Sequence, residues 1–190
     1  TNDGENETTN NINDAERYYV GKSATPDHFG GANLNATYKG LSLSTNFSYS
    51  WGNYLYEPNL RFIHGDGRLT PRSTSVWALE NRWVPGSTDA KLPQHVWGDR
   101  KQGQSSNNSR YLYDGSFVRL RNLTLAYDLP TSFIEKAGLT SVRAYLRGTN
   151  LLTWTRDPDL FIDPEQAVNG IANSMTPAIR SYTLGVDFNF

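Results

Sequence analysis

The 190 residues carry 18 Lys and Arg against 19 Asp and Glu, a net charge of −1, a mean hydropathy of −0.61 and no cysteine. The missing cysteine excludes a disulfide framework and thiolate chemistry, and the balanced charge without a basic run argues against a nucleic-acid partner. No run of about 18 apolar residues exists, which excludes a membrane-spanning helix but leaves open a membrane barrel, whose half-polar strands need only about 10 residues.

Residues 1–17 are polar throughout and read as an exposed loop. Asp3, Glu5 and Asp14 do not have the spacing of a calcium loop, and no metal site is expected there. No signal peptide is legible at Thr1, so the chain reads as processed or as starting internally. An extended stretch follows, broken by Pro26 and the Gly30-Gly31 pair, and residues 1–30 together are expected to be a loop or extended segment.

Two alternating runs come next. Ala32, Leu34, Ala36 and Tyr38 form one apolar set, and Leu41, Leu43, Thr45, Phe47, Tyr49 and Trp51 form the other. The Lys39-Gly40 pair between them predicts a β-hairpin with a tight turn. From Leu41 to Trp51 the strand would run about 33 Å, and at a tilt of about 40° it would span roughly 25 Å, the height of a barrel's apolar band. Soluble sheets seldom use strands of this length. The aromatic share of 13% suits interfacial girdles, though it suits a sugar-binding soluble β-protein equally well.

Residues 52–113 lose the alternation and read as a long loop, with "STSVWALENRW" as a short helix inside it. Such a connection is out of place in a compact domain but normal on the outer side of an outer-membrane barrel. In "GSFVRLRNLTLAYDLP", Val118 and Leu120 are out of phase with Leu123, Leu125 and Tyr127. A bulge near Arg121-Asn122 would bring all five to one face. "TSFIEKAG" reads as one or two helical turns, capped by Thr131 or Ser132 at the start and Gly138 at the end. The next strand puts Val142, Ala144, Leu146, Gly148, Leu152 and Trp154 on one face and Arg143, Tyr145, Arg147 and Thr149 on the other. A polar lumen and the wet side of a soluble sheet explain those arginines equally. Residues 156–178 form a second loop rich in Asp and Pro.

The last strand, "TLGVDFNF", alternates most cleanly. Tyr182, Leu184, Val186, Phe188 and Phe190 share one face, with small or polar residues between them. One greasy and one polar face is what a barrel strand between lipid and water requires. With the C-terminus on the periplasmic side, the five strands place both long loops outside and both short connections inside. Five strands close no barrel, and their open edges would be costly in lipid. The chain is therefore expected to be a C-terminal piece whose barrel is completed by other polypeptide.

Several phrases resemble one family, the SusC/RagA-type TonB-dependent transporters. They are "INDAERYYVGKSATPDHFGGANLNATYKGLSLSTNFSY", "LENRWVPGS", "YDGSFVRLRNLTLAYDLP", "VRAYLRGTNLLTWT", "DPE" at Asp163–Glu165 and "RSYTLGVDFNF", in the family's order. The final strand, with Gly185 between its lipid-facing residues and Phe188 and Phe190 after it, also resembles an outer-membrane assembly signal. The resemblance implies an all-β, C-terminal segment of a transmembrane barrel of 22 strands. Residues 31–190 would supply barrel strands, with 52–113 and 156–178 as extracellular loops. It implies multi-pass placement in a Gram-negative outer membrane, in contact with its lipid, and energised uptake of an oligosaccharide or peptide. The partners implied are the rest of the barrel and its plug domain, a SusD-type surface lipoprotein, and TonB acting through the missing N-terminal part.

No cofactor is expected, and no enzyme. His28, His64 and His95 all fall in loops without a catalytic motif, and Asp157 and Asp159 sit among turn residues. Ligand contacts are expected from Trp77, Trp83 and Trp97, stacking on a sugar, and from Arg143 and Arg147 in the lumen. Their plainer roles are packing within the loop and an ion pair with the plug. The alternative function is a passive barrel or adhesin, which an upstream plug and TonB box would discriminate.

Overall fold

The structure is a computed structural model that describes residues 18–65, 67, 73–98, 108–166, 168–173 and 175–190. Asp3, Glu5 and Asp14 lie outside the described residues. In chain order the strands are β1 (His28–Tyr38), β2 (Leu41–Trp51), β3 (Tyr54–Tyr56), β4 (Leu112–Asp114), β5 (Phe117–Asp128), β6 (Ser141–Thr155) and β7 (Ser181–Asn189). Short helices α1 (Leu60–Ile63) and α2 (Val76–Asn81) fall between β3 and β4, and α3 (Thr131–Ile134) follows β5. Among the described residues no helix is long and apolar enough to cross a membrane, which says nothing about strands.

The chain divides into two compact units. The first comprises Ser23–Leu55, Asp114–Gly170 and Met175–Phe190, and it holds a five-stranded sheet in the order β1-β2-β5-β6-β7. Every pairing in that sheet is antiparallel, so the strands meander without a crossover. The β1–β2 turn is as tight as the sequence predicts. Tyr38 pairs with Leu41, and Lys39 and Gly40 take φ of 46° and 83°. Two successive left-handed residues are what a type I′ turn demands, and glycine meets the second at no steric cost.

The ladder register shows why alternating sequences settle this way. Ala36, Leu43, Leu125, Leu146 and Leu184 lie side by side across all five strands. The next row holds Tyr38, Leu41, Tyr127, Ala144 and Val186. A shift of one residue in any strand would send its apolar set to the opposite face. This apolar face is bare: Leu184 is 80% exposed and Leu146 50%. An uncovered greasy surface of this extent is out of place in water.

The expected bulge is present. Leu120 pairs with Phe47, Asn122 pairs with Asn46, and Arg121 has no counterpart between them. The β5–β6 ladder shifts at the same point, where Asn150 takes φ 52°. Val118 and Leu120 therefore share a face with Leu123, Leu125 and Tyr127, opposite Tyr49, Phe47, Thr45, Leu43 and Leu41.

One helix cap differs from the expectation. α3 starts at Thr131, with Pro130 in the cap position and no side-chain cap. Pro130 already has the extended ψ of a cap, 137°, so Thr131 is the first helical residue. Gly138 ends the following 3-10 turn in the left-handed region, φ 71°, as its position predicts.

The second unit comprises the described residues within Thr1–Lys22, Tyr56–Tyr113 and Ile171–Ser174. It buries Leu60, Ala78, Leu92, Tyr111 and Ala172. The short helix read from "STSVWALENRW" is α2, whose N-cap Ser75 accepts from the Ala78 amide at 3.1 Å.

Candidate functional site

The face of the sheet opposite the leucine row is polar. Arg147 lies between Thr124 and Thr183, and Arg143 between Asp128 and Asp187. Arg143 reaches both Asp128 oxygens at 3.2 Å. Both side chains are nearly half exposed, so this pair is worth at most about 1 kcal/mol. Between the two arginines the Tyr145 ring lies over Gly185, leaving no room there for a Cβ, and Arg147 stands 5.7 Å from that ring. Further along, Asn46 donates to Asn33 at 2.5 Å.

The densest chemistry sits where β5 bulges. Alternation alone would aim Arg119 and Asn122 at opposite faces. The bulge keeps Arg119, Arg121 and Asn122 on the polar side. The segment after β6 meets these arginines with Asp163 and Glu165. Arg119 bonds Asp163 at 2.6 Å and Glu165 at 2.7 Å, and Arg121 bonds Glu165 and the Ser48 hydroxyl. Asp163 also accepts from the amides of Glu165 at 3.1 Å and Ala178 at 2.9 Å. Arg119 and Asp163 are almost fully buried, with side chains 4% and 5% exposed. Burial alone would raise the Asp163 pKa, but the Arg119 hydrogen bond and the two amides hold it below its ordinary value.

Beside this cluster is a cleft of about 540 Å³, lined among others by Thr153, Thr155, Phe161 and Arg180. The sequence reading missed Arg119 and Arg121 as functional residues and gave Asp163 and Glu165 no role. The signal was present: two arginines two residues apart, flanking the phase break of an otherwise apolar strand.

The expected ligand contacts fall in different places. Arg143 and Arg147 share the polar face of β6. Trp77, Trp83 and Trp97 belong to the second unit. Trp77 is half-buried, its ring 4.8 Å from that of the buried His64 and 5.8 Å from the Lys91 ammonium. Burial holds the His64 pKa below its ordinary value. Trp83 and Trp97 are exposed, at 41% and 74%.

An antiparallel meander with one continuous apolar face and one charged face defines a wall segment of a membrane β-barrel. Relatives of known name agree. The chain is 34% identical to TonB-dependent receptor P3 of Formosa agariphila, over 94% of this chain and 18% of that protein. It is 32% identical to TonB-dependent receptor P26 of the same organism, over 88% of this chain and 17% of that one. Its fold matches the RagAB peptide importer in the closed-closed state with a TM-score of 0.73 and 29% identity, over 93% of this chain and 19% of that one. A second RagAB peptide transporter structure matches with a TM-score of 0.72 and 30% identity, over 90% of this chain and 18% of that one. No family model matches. The chain is a relative of TonB-dependent receptors and of the RagAB transporter, and it spans less than a fifth of the length of the relatives it matches.

Proposed function

We propose that this segment supplies wall and extracellular rim to an outer-membrane transporter that takes up an oligosaccharide or peptide with energy delivered through TonB. The observation that carries this reading is the sheet's division into a bare apolar face and an arginine-rich face, found in a relative of TonB-dependent receptors. The apolar face meets lipid and the polar face lines the lumen. The segments 52–113 and 156–178 are extracellular loops, and 31–190 is barrel and loop. The plug and the TonB contact belong to other parts of the protein, and a SusD-type surface lipoprotein is its partner. The chemistry is transport and not catalysis. The name of the RagAB importer favours a peptide over an oligosaccharide.

Ligand contacts fall to Trp77, Trp83, Trp97, Arg143 and Arg147. The exposure of Trp83 and Trp97 and the weak, half-exposed pairing of Arg143 support that assignment. The test is uptake of labelled peptides and oligosaccharides by cells expressing the full-length protein, with and without TonB. Uptake against a gradient that stops when TonB is deleted is the expected result. Passage that continues without TonB would replace this reading with a passive barrel. Substituting Trp83 and Trp97 together by Ala is expected to weaken uptake at low ligand concentration by about tenfold, the loss of roughly 1.4 kcal/mol of binding. Unchanged uptake by that variant would remove the tryptophans from the ligand path.

A further inference from the structure

We propose that the stretch between β6 and β7 is a strap, pinned across the polar face of β5 by the Arg119, Arg121, Asp163 and Glu165 cluster, and that it narrows the water-filled side of the wall. The narrowing rests on the polar face being luminal. The pinning does not.

Among the described residues several attachments hold the strap, including the Ala172 amide, which donates to the Tyr56 carbonyl at 2.9 Å. At its start the Arg156 amide donates to the Ser116 carbonyl at 2.9 Å. In its middle Asp163 and Glu165 take both arginines of the bulge. Asp163 then ties the middle to the exit by accepting from the Ala178 amide, and Asn150 holds the next residue through the Ile179 carbonyl at 3.0 Å. Only the middle attachment is ionic and buried. Two acids and two arginines leave the cluster neutral when closed. Removing either buried partner strands a charge away from water, which makes release all-or-none in character.

Between the strap and the sheet a cleft of about 540 Å³ opens beside Thr153, Thr155, Phe161 and Arg180. Moving the strap's middle, around Asp163 and Glu165, requires rupture of the cluster. The bulge leaves the lipid face unbroken beside Arg119 and Arg121, which both face the strap.

The test uses the full-length transporter carrying Asp163→Asn and Glu165→Gln, which keep shape and remove charge. In detergent, chymotrypsin is expected to cut after Leu160 or Phe161, located by mass spectrometry, at least tenfold faster than in the unaltered protein. In planar bilayers the same variant is expected to show a larger conductance. Cutting and conductance both unchanged would overturn the strap. Faster cutting with unchanged conductance would overturn the narrowing. Where the double variant fails to form a heat-modifiable barrel, Arg121→Cys with Glu165→Cys decides the matter. The same folded protein is compared before and after joining by a short bis-maleimide, and joining is expected to slow cutting and lower conductance. No difference on joining would sink the proposal. None of these readouts depends on TonB, so a failure of energised uptake is distinguishable from a failure of the strap.

Discussion

Gly185 and Tyr145 show how one residue's smallness is set by its neighbour. Gly185 has an ordinary strand conformation and no need of glycine's freedom, yet a Cβ there would run into the Tyr145 ring. The ring covers the bare backbone of β7, the aromatic rescue that weak glycine positions in sheets use. Gly185→Val is expected to cost about 1–3 kcal/mol, the usual range for overpacking. In a Tyr145→Ala background the same change is expected to cost less, measured as a double-mutant cycle in refolding from urea. Additive costs would mean that the ring does not enforce the glycine. The alternation of "TLGVDFNF" made Gly185's face legible. Its partner was not, because nothing local in the chain says which strand lies beside it. The same holds for Asp163. Its pKa is lowered, so its contribution to the strap is present above the ordinary carboxylate value and lost as pH falls through the depressed one. Glu165 faces the same pair of arginines. Release of the strap, followed by cutting with an acid protease, is expected below about pH 4, the ordinary Asp value. Arg119→Gln would leave only the two amides to oppose burial and move that midpoint upward. A midpoint unmoved by Arg119→Gln would contradict the assigned pairing.

At the scale of elements, period-two alternation carried the five long strands, and the phase break in β5 carried its bulge. Both follow from a single constraint, that one face must remain apolar from end to end. Leu184→Arg tests that constraint, because Leu184 ends the row of Ala36, Leu43, Leu125 and Leu146. If the row lies near the bilayer midplane, the substitution is expected to cost about 2–4 kcal/mol in lipid refolding. Thr183→Arg, one residue away on the polar face, is expected to cost far less. Equal costs would place the leucine row out of the membrane. The strap was illegible at this scale for a physical reason. Its four charges come from residues 44 apart in the chain, and charges of opposite sign have no periodicity to announce their pairing. The α3 cap failed differently, since Pro130 takes the cap position by backbone geometry alone.

At the scale of the whole molecule, the assignment of lipid and lumen rests on the two faces of one sheet, and β6 reads both in adjacent positions. Leu146 belongs to the leucine row, and Arg147 lies on the opposite face between Thr124 and Thr183. The 190 residues contain no cysteine, so single thiols can be introduced at either site without removing native ones from this segment. Leu146→Cys and Arg147→Cys, each carrying a nitroxide in the full-length protein in lipid, are expected to report opposite environments. The label at 146 should collide freely with dissolved oxygen, which concentrates in the hydrocarbon. The label at 147 should collide instead with a water-soluble nickel chelate. The alternation should reverse again at 148. A soluble sheet would give water access at both sites, and a strand slipped by one residue would exchange them. Because the leucine row crosses β1, β2, β5, β6 and β7 in register, Leu125→Cys on β5 must agree with Leu146→Cys on β6. Disagreement between those two would break the single lipid-facing wall on which the transport reading depends.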